Sequence, residues 1–482
     1  MSSSTPIPVT AVFDIGKTNK KFLLFSQNYE VVYKQQSVLT EAEDEDGYPC
    51  EDLKVLVRWV TGKLDSVLQG GEFKITTLNF STYGASLVHL DGQGKAVTPL
   101  YNYLKPYPED LLQEFYDTYG GREKVSLETA SPPMGMLNSG LQLYWLKHRH
   151  PFRFENIRYS LHFPQYLSYL FTGECATEYT SIGCHTALWD YKRNSYHQWL
   201  KQEDLLNLFP KVGSVSDTRI VSYQNHSFKT GVGIHDSSAA LAPYLYALDE
   251  PFLLVSTGTW SITLNPFSKA PLTFEELKRD CLCYLNVHGK QVKASRFFLG
   301  NEYTHQRQKL DRHFNKENAR MNIEPDISLL KKLMRENNPA KKLKLETAHT
   351  SGPYLQDEPG KWNPEIFSSY EEAYHQLMLD LVSIQADCIE LARGAGEINK
   401  LIITGGFSQN DFFVKLLASR FPDKEVYTAS LPHASALGAA LTVNSGWDSN
   451  HIALKELLDL RRHLAFEGLD IKSYFWNRPV AI

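Results

Sequence analysis

The opening of the chain alternates apolar runs with small-residue turns. "TAVFDI" (10–15) and "KKFLLF" (20–25) flank "GKTN", a pattern that predicts strand, tight turn, strand. "DLKVLVRWVTGKLDSVL" (52–68) has apolar residues at helical spacing. "KITTLNFSTYGASLVHLD" (74–91) reads strand, turn, strand. From 107 to 210 the pattern is largely helical, with aromatic stripes in "GLQLYWLKHRH" and "FPQYLSYLFTG" that read as core packing. Near residue 250 the opening pattern returns: "PFLLVSTGTWSITLN" (251–265) is again strand, small-residue turn, strand. Two halves that each begin this way suggest a duplicated domain.

Later segments are equally legible. The charged stretch 303–350 predicts surface helices and loops, an insertion or lid. Residues 367–396 carry the strongest helical pattern, closed by Gly394 and Gly396. A strand at 400–404 runs into Gly405-Gly406, with a polar cap expected near Ser408 and an amphipathic helix after it. "SLPHASALGAALTV" (430–443) predicts a small-residue helix able to pack very closely on a neighbour.

Composition narrows the function classes. The 482 residues suffice for two or three domains, and 42% hydrophobic with 22% charged residues is ordinary globular composition. A net charge of −5 offers no basic excess for nucleic acid or a membrane surface. No apolar run reaches transmembrane length and the first residues lack a signal-peptide pattern. Six scattered cysteines without a CxxC pair suggest buried free thiols, including Cys281 and Cys283 on one face of a strand, and a reduced, cytoplasmic setting.

Gly16-Lys17-Thr18 looks like the tail of a P-loop. That motif needs a glycine five positions earlier, where Ala11 stands, and a helix where "KKFLLF" predicts a strand. What remains is a hairpin with Asp14 at the end of its first strand. Its turn amides can hold an anion, and Lys17, Lys20 and Lys21 add charge. Three further features lie along the chain: His235-Asp236 before a small-residue helix, where Asp236 suits an N-cap; "STGTW" at the second hairpin tip; and "TGGFSQN" at a helix start.

In this order these motifs resemble the FGGY carbohydrate kinases, over essentially the whole chain. "DIGKTNKK" resembles the family's first phosphate motif, with Lys21 on its basic position, and "STGTW" resembles the second. "TGGFSQN" with the following glycine/alanine helix resembles the adenosine motif. "HDSSAA" and "LHFPQYLSYLFTGECATEYTSIG" are similar to the catalytic segment and the Thr-Gly-Glu loop of the rhamnulokinase/fuculokinase branch. The resemblance implies an α/β fold of two ribonuclease H-like domains of the actin/hexokinase ATPase type. The expected bounds are 1–245, carrying the sugar site and base, and 246–482, carrying the nucleotide site, with an interdomain cleft closing by hinge motion.

It also implies ATP and Mg²⁺. Asp236 would be the general base, and Asp14 would hold Mg²⁺ through water. Gly16, Lys17, Thr18, Asn19 and Lys21 would contact phosphates, and Gly258 and Thr259 would approach them through backbone amides. Gly405, Gly406 and Asn410 would hold the nucleoside. Tyr83, Gly84, Gln165, His235, Asp236 and Ser237 would line the sugar pocket. The implied substrate is a ketose such as L-rhamnulose or L-fuculose, phosphorylated at its terminal primary hydroxyl; xylulose, ribulose or a polyol is the alternative. A non-catalytic sugar sensor on the same fold would have lost Asp14 or Asp236, and both are present. Nucleic acid and membrane are not expected partners, and a homodimer is left open.

This sequence departs from the family at several points. Lys17 and Phe407 stand where small residues are usual, Ser237 replaces threonine, Gln165 replaces aspartate, and "PLYNYLKPYP" lacks the usual aspartate. The sugar pocket is therefore where the chain is expected to differ most.

Overall fold

A computed structural model describes residues 5–316, 323–347, 361–444 and 451–476. Part of the expected 303–350 insertion, 317–322 and 348–350, lies outside them. The chain forms two compact units. The first comprises Met1–Asp249, Cys283–Gln291 and Pro432–Lys455, and the second Glu250–Leu282, Val292–Leu431 and Glu456–Ile482. Against expected bounds of 1–245 and 246–482, the main division falls at 249/250, and two later segments pack with the first unit.

In the first unit the sheet runs Thr218–Tyr223, His226–Gly231, Phe73–Thr82, Ile7–Ile15, Lys20–Phe25, Val31–Ser37. Ile7–Ile15 is antiparallel to Lys20–Phe25 and parallel to Phe73–Thr82. This central position explains its near-continuous apolar run, since a strand covered on both faces cannot alternate. Ile234–His235 adds to Phe73–Thr82 in parallel, with His235 opposite Thr82. Helix Leu53–Gly70 starts where Asp52 caps the Lys54 and Val55 amides and buries Leu56, Val60 and Leu64. The aromatic stripes of Ser139–Arg149 and Phe163–Thr172 pack into two apolar cores of this unit.

Two helices of the first unit meet closely. On Asp236–Ala247 and Ala434–Thr442, a Cβ placed on Gly438 would lie 1.8 Å from the Ala239 carbonyl oxygen. The 430–443 segment is thus the close-packing helix its small residues predict. The second helix is also tied to the sheet, where Asn79 donates to the Ala439 carbonyl (2.7 Å) and Ser435 to Asp14 (2.9 Å).

The second unit's sheet includes Gln291–Phe297, Ser261–Asn265, Phe252–Thr257, Lys400–Gly405, Glu425–Thr428 and Arg461–His463 in that order. Phe252–Thr257 pairs antiparallel with Ser261–Asn265 and parallel with Lys400–Gly405. This is the pairing pattern of the opening hairpin. Tyr370–Arg393, capped by Ser369 and ended at Gly394, is the long core helix. Within the predicted surface insertion, helices Leu299–His313 and Ile327–Glu336 bury Leu310, Leu330 and Leu333 in that core, so these parts are packed elements.

Candidate functional site

Gly16-Lys17-Thr18-Asn19 closes a strand-to-strand turn, with the Gly16 amide donating to the Asn19 carbonyl (3.0 Å). No helix follows, so the P-loop geometry is absent. Asp14, 5% exposed, sits opposite Lys21 on one neighbouring strand and Ser81 on the other. Lys21 Nζ lies 3.2 Å from Asp14 Oδ2, and the Ser435 hydroxyl donates to Oδ1. Lys17 turns to Glu41 (2.5 Å). Lys20 is buried, paired with Glu51 (3.0 Å), and donates to the Lys17 carbonyl. Of the three tip lysines, then, Lys21 stays beside Asp14. Lys21→Ala should raise the KM for ATP several-fold more than Lys17→Ala, because Lys21 stays beside Asp14 at the hairpin tip while Lys17 turns to Glu41. Steady-state kinetics of the two variants makes the comparison.

Asp236 is the first residue of its helix, and His235 takes the cap position, so Asp236 is not the N-cap its sequence suggested. Its Oδ1 accepts from the Ser237 hydroxyl (3.2 Å) and lies 3.2 Å from His235 Nε2. Its side chain is one-third exposed, while His235 is buried. Gly84 must be glycine here, because a Cβ would fall 2.8 Å from Cys184 Sγ and 3.0 Å from the His235 ring. Tyr83 is buried against Tyr103 and Phe163 and donates to Glu51 (3.3 Å). Burial first, and then the Asp236 charge, raise the Tyr103 hydroxyl above its ordinary pKa, which marks Tyr103 as a neighbour of the carboxylate.

Gln165 is fully buried, and its amide donates to the Val232 and Gly233 carbonyls, bracing the strand that leads into His235. The Thr180 hydroxyl receives the His235 amide and donates to buried Glu178.

Two further histidines of the first unit, His89 and His162, are buried. His89 faces Ser160 (2.9 Å) and His162 faces Ser139 (3.3 Å), and burial pushes both pKa values down to about 3. A histidine lowered in the folded state contributes stability that is present above its unfolded pKa of about 6.5 and is lost as pH falls toward the folded value. His235, held high in the fold, is protonated in both states below that pH and drops out. Each buried histidine therefore takes up about one proton on unfolding between pH ~6 and ~4. The slope of unfolding free energy against pH should fall by about one proton in His89→Gln.

In the second unit, Gly258, Thr259, Gly300, Asn301, Tyr303, Thr304, Gly406, Phe407 and Asn410 line a cavity of about 350 Å³. Gly405 has φ +83 and ψ −157, and a Cβ there would lie 1.8 Å from the Thr257 carbonyl oxygen. A Cβ on Gly406 meets nothing within 4 Å, so its open side is free for a ligand. The Gly258 amide is engaged by the Trp260 carbonyl (2.8 Å). Gly258 therefore has no free N–H of the kind its amide role would need. Asn410, not Ser408, caps helix Asp411–Arg420. Phe407 is buried against Tyr303 and Phe413 and gives the cavity an aromatic wall.

Gly300, Asn301, Tyr303 and Thr304 escaped the sequence reading because they open a stretch whose charge reads as surface. The usable signal was the strand end followed by "LGNEYT". Cys184 and Glu51 were missed because nothing local in sequence links them to residues 235 and 83.

The donor sets fit the groups that the motifs imply. The glycine-lined cavity, with its aromatic wall beside a helix N-terminus, suits a nucleotide. Among the described residues no group of three or more His, Cys, Asp or Glu could enclose a metal. The single carboxylate of Asp14 suits a cation that keeps its water and travels with phosphates, as Mg²⁺ does.

Comparisons with known proteins give the family and the fold. Residues 9–237 match the model of the FGGY family of carbohydrate kinases, N-terminal domain, and 249–451 that of the carbohydrate kinase FGGY C-terminal domain. The chain is 27% identical to a rhamnulokinase of Bacteroides thetaiotaomicron over 266 residues, 52% of this chain and 53% of that protein. It is 24% identical to a rhamnulokinase of Halalkalibacterium halodurans over 52% of each. The matches span about half the length of these curated relatives.

Among solved structures, it superposes on a carbohydrate kinase from Novosphingobium aromaticivorans with TM-score 0.75 and 24% identity, covering 96% and 98% of the two chains. A ligand-bound xylulose kinase from Lactobacillus acidophilus gives TM-score 0.78 at 16% identity, covering 95% and 94%. At these identities the superpositions show the fold, which is the two-domain, actin/hexokinase-type α/β class. No helix among the described residues is long and apolar enough to cross a membrane.

Proposed function

The chain belongs to the FGGY family of carbohydrate kinases, and on that premise we propose that it transfers the γ-phosphoryl group of MgATP to the terminal primary hydroxyl of a ketose such as L-rhamnulose or L-fuculose. The observation that carries the reading is Asp236, a part-exposed carboxylate at a helix start whose Oδ1 is held by Ser237 and faced by His235. Its Oδ2 is left to accept the proton of the attacking hydroxyl. As the sugar oxygen bonds to the γ-phosphorus, the bond to the β-phosphate oxygen breaks and ADP leaves.

The transition state is loose, so positioning and electrostatics carry the rate. Lys21, with Thr18 and Asn19 at the hairpin tip, meets phosphate oxygens; Lys17, held by Glu41, contributes less. Gly16 lets the turn close, and Gly258 and Thr259 let the phosphates approach the backbone. Gly405, Gly406 and Asn410 hold the nucleoside in the glycine-lined cavity. Tyr83, Gly84, His235 and Ser237 shape the sugar side, joined by Tyr103; Gln165 acts from behind. Bound Mg²⁺, organised by Asp14 through water, would neutralise charge on the phosphates.

The test is ADP release from MgATP across ketoses, aldoses and polyols, with the Asp236→Asn protein alongside. One sugar standing well above the rest, and silent in the variant, supports the reading. A best substrate outside the ketoses would replace the substrate class. Silence across the panel with ATP still bound would favour a sugar sensor.

A further inference from the structure

Asp236 has a partner behind its partner. His235 Nε2 lies 3.2 Å from Asp236 Oδ1 and 3.1 Å from Cys184 Sγ. Its Nδ1 faces Ser238 Oγ at 3.4 Å. The Ser238 hydroxyl donates its one proton to the Leu285 carbonyl (3.0 Å), so toward His235 it can only accept. Nδ1 therefore keeps a hydrogen. A neutral ring with its proton on Nδ1 would aim the Nε2 lone pair at a carboxylate oxygen. A second proton, on Nε2, removes that conflict.

The nearest proton source is the Cys184 thiol. We propose that Cys184 is a positioning residue for the base: it gives its thiol proton to His235, and the imidazolium so formed shares its one Nε2–H between Cys184 Sγ and Asp236 Oδ1, fixing Oδ1 and leaving Oδ2 for the sugar hydroxyl. In this step the S–H bond breaks, an N–H bond forms, and the charge of the Cys184–His235 pair is unchanged. The proposal rests on Asp236 being the base.

The surroundings fit an ion pair. Burial opposes the Cys184 thiolate, yet the charges of His185 and His235 pull its pKa down to about 6. Burial likewise opposes a charged His235, but Cys184 and Asp236 hold it well above the ordinary histidine range. Among the described residues, titratable groups that face the pair include His162, toward His235; Tyr284, whose ring centroid is 6.1 Å from those of His185 and His235; and Tyr191, near Cys184. Gly84 supplies the room, since any side chain there would collide with both partners. At three other cysteines burial acts the opposite way: it raises Cys50 to about 11, raises Cys175 and pushes Cys388 far up.

Two measurements test this on the full chain. The first is the ultraviolet thiolate band of the wild-type protein against Cys184→Ser, titrated with pH and read without turnover. The expected result is a band present at neutral pH, lost only on acidification below the ordinary thiol range, and missing in the variant. Identical spectra would overturn the proposal. The second is the pH profile of kcat/KM.

Cys184→Ser and Cys184→Ala should lower kcat on the order of 10- to 100-fold, the scale of one lost charged hydrogen bond, with KM for sugar much less changed. The alkaline limb should move toward acid, because solvent must now supply the proton that the thiol gave. A uniform loss with an unmoved profile would mean packing alone and would overturn it. Should Cys184→Ala fail to fold, the near-isosteric serine variant and the wild-type titration still decide. Full activity in Asp236→Asn would sink the base assignment, and the thiolate titration would stand or fall separately.

Discussion

Asp236→Asn is expected to lower kcat by at least about 10²- to 10⁴-fold, the range a positioned general base supplies, while ATP affinity stays within about twofold. The asparagine keeps the size and polarity of the side chain, and Ser237 can still hydrogen-bond to its amide oxygen. What it loses is the basic Oδ2. Gly405, Gly406 and Asn410, the proposed nucleotide residues, lie on other elements than Asp236, and so does the Asp14–Lys21 pair. A phosphoryl-transfer assay with the preferred sugar, beside calorimetric titration of ATP, separates the two effects. Full activity would remove Asp236 from the base role, and lost ATP binding would mean that the helix start had collapsed.

Gly405→Ala should cost about 2–6 kcal/mol of stability and abolish measurable ATP binding. Two costs combine. The backbone at φ +83, ψ −157 lies in a region essentially reserved for glycine, a strain of about 1–3 kcal/mol for any other residue. The added methyl would also lie 1.8 Å from the Thr257 carbonyl oxygen, so the two parallel strands must part, an overpacking cost of about 1–3 kcal/mol. That displacement carries Phe407, whose amide bonds Thr257 Oγ1, and with it one wall of the cavity. Denaturant midpoints and ATP titration check the prediction. Gly406→Ala, where a Cβ meets open space, is the control expected to fold normally.

Much of this protein is written in local sequence. The apolar run of residues 10–15, broken by Asp14 and a small-residue turn, specifies a buried strand ending in a carboxylate whatever surrounds it. The same logic set the second hairpin and the helix 370–393, because burial on both faces and the 3.6-residue period are imposed on the chain directly. The order of the motifs gave the family, and Asp14, His235, Asp236 and the paired glycines were readable as candidates before any coordinates.

Tertiary structure decided the rest. That helix Ala434–Thr442 packs with the first unit shows where Gly438 meets a carbonyl oxygen some two hundred residues away in sequence. Whether Lys17 or Lys21 stays beside Asp14 depended on Glu41, on a separate strand. That the amide of Gln165, expected to line the sugar pocket, reaches the Val232 and Gly233 carbonyls was set by packing alone. Cys184 looked like one more buried thiol until folding set it 3.1 Å from His235. Periodicity fixes which face a residue shows, but hydrogen bonds and ion pairs between distant segments depend on distances of a few tenths of an ångström, which only the packed chain sets.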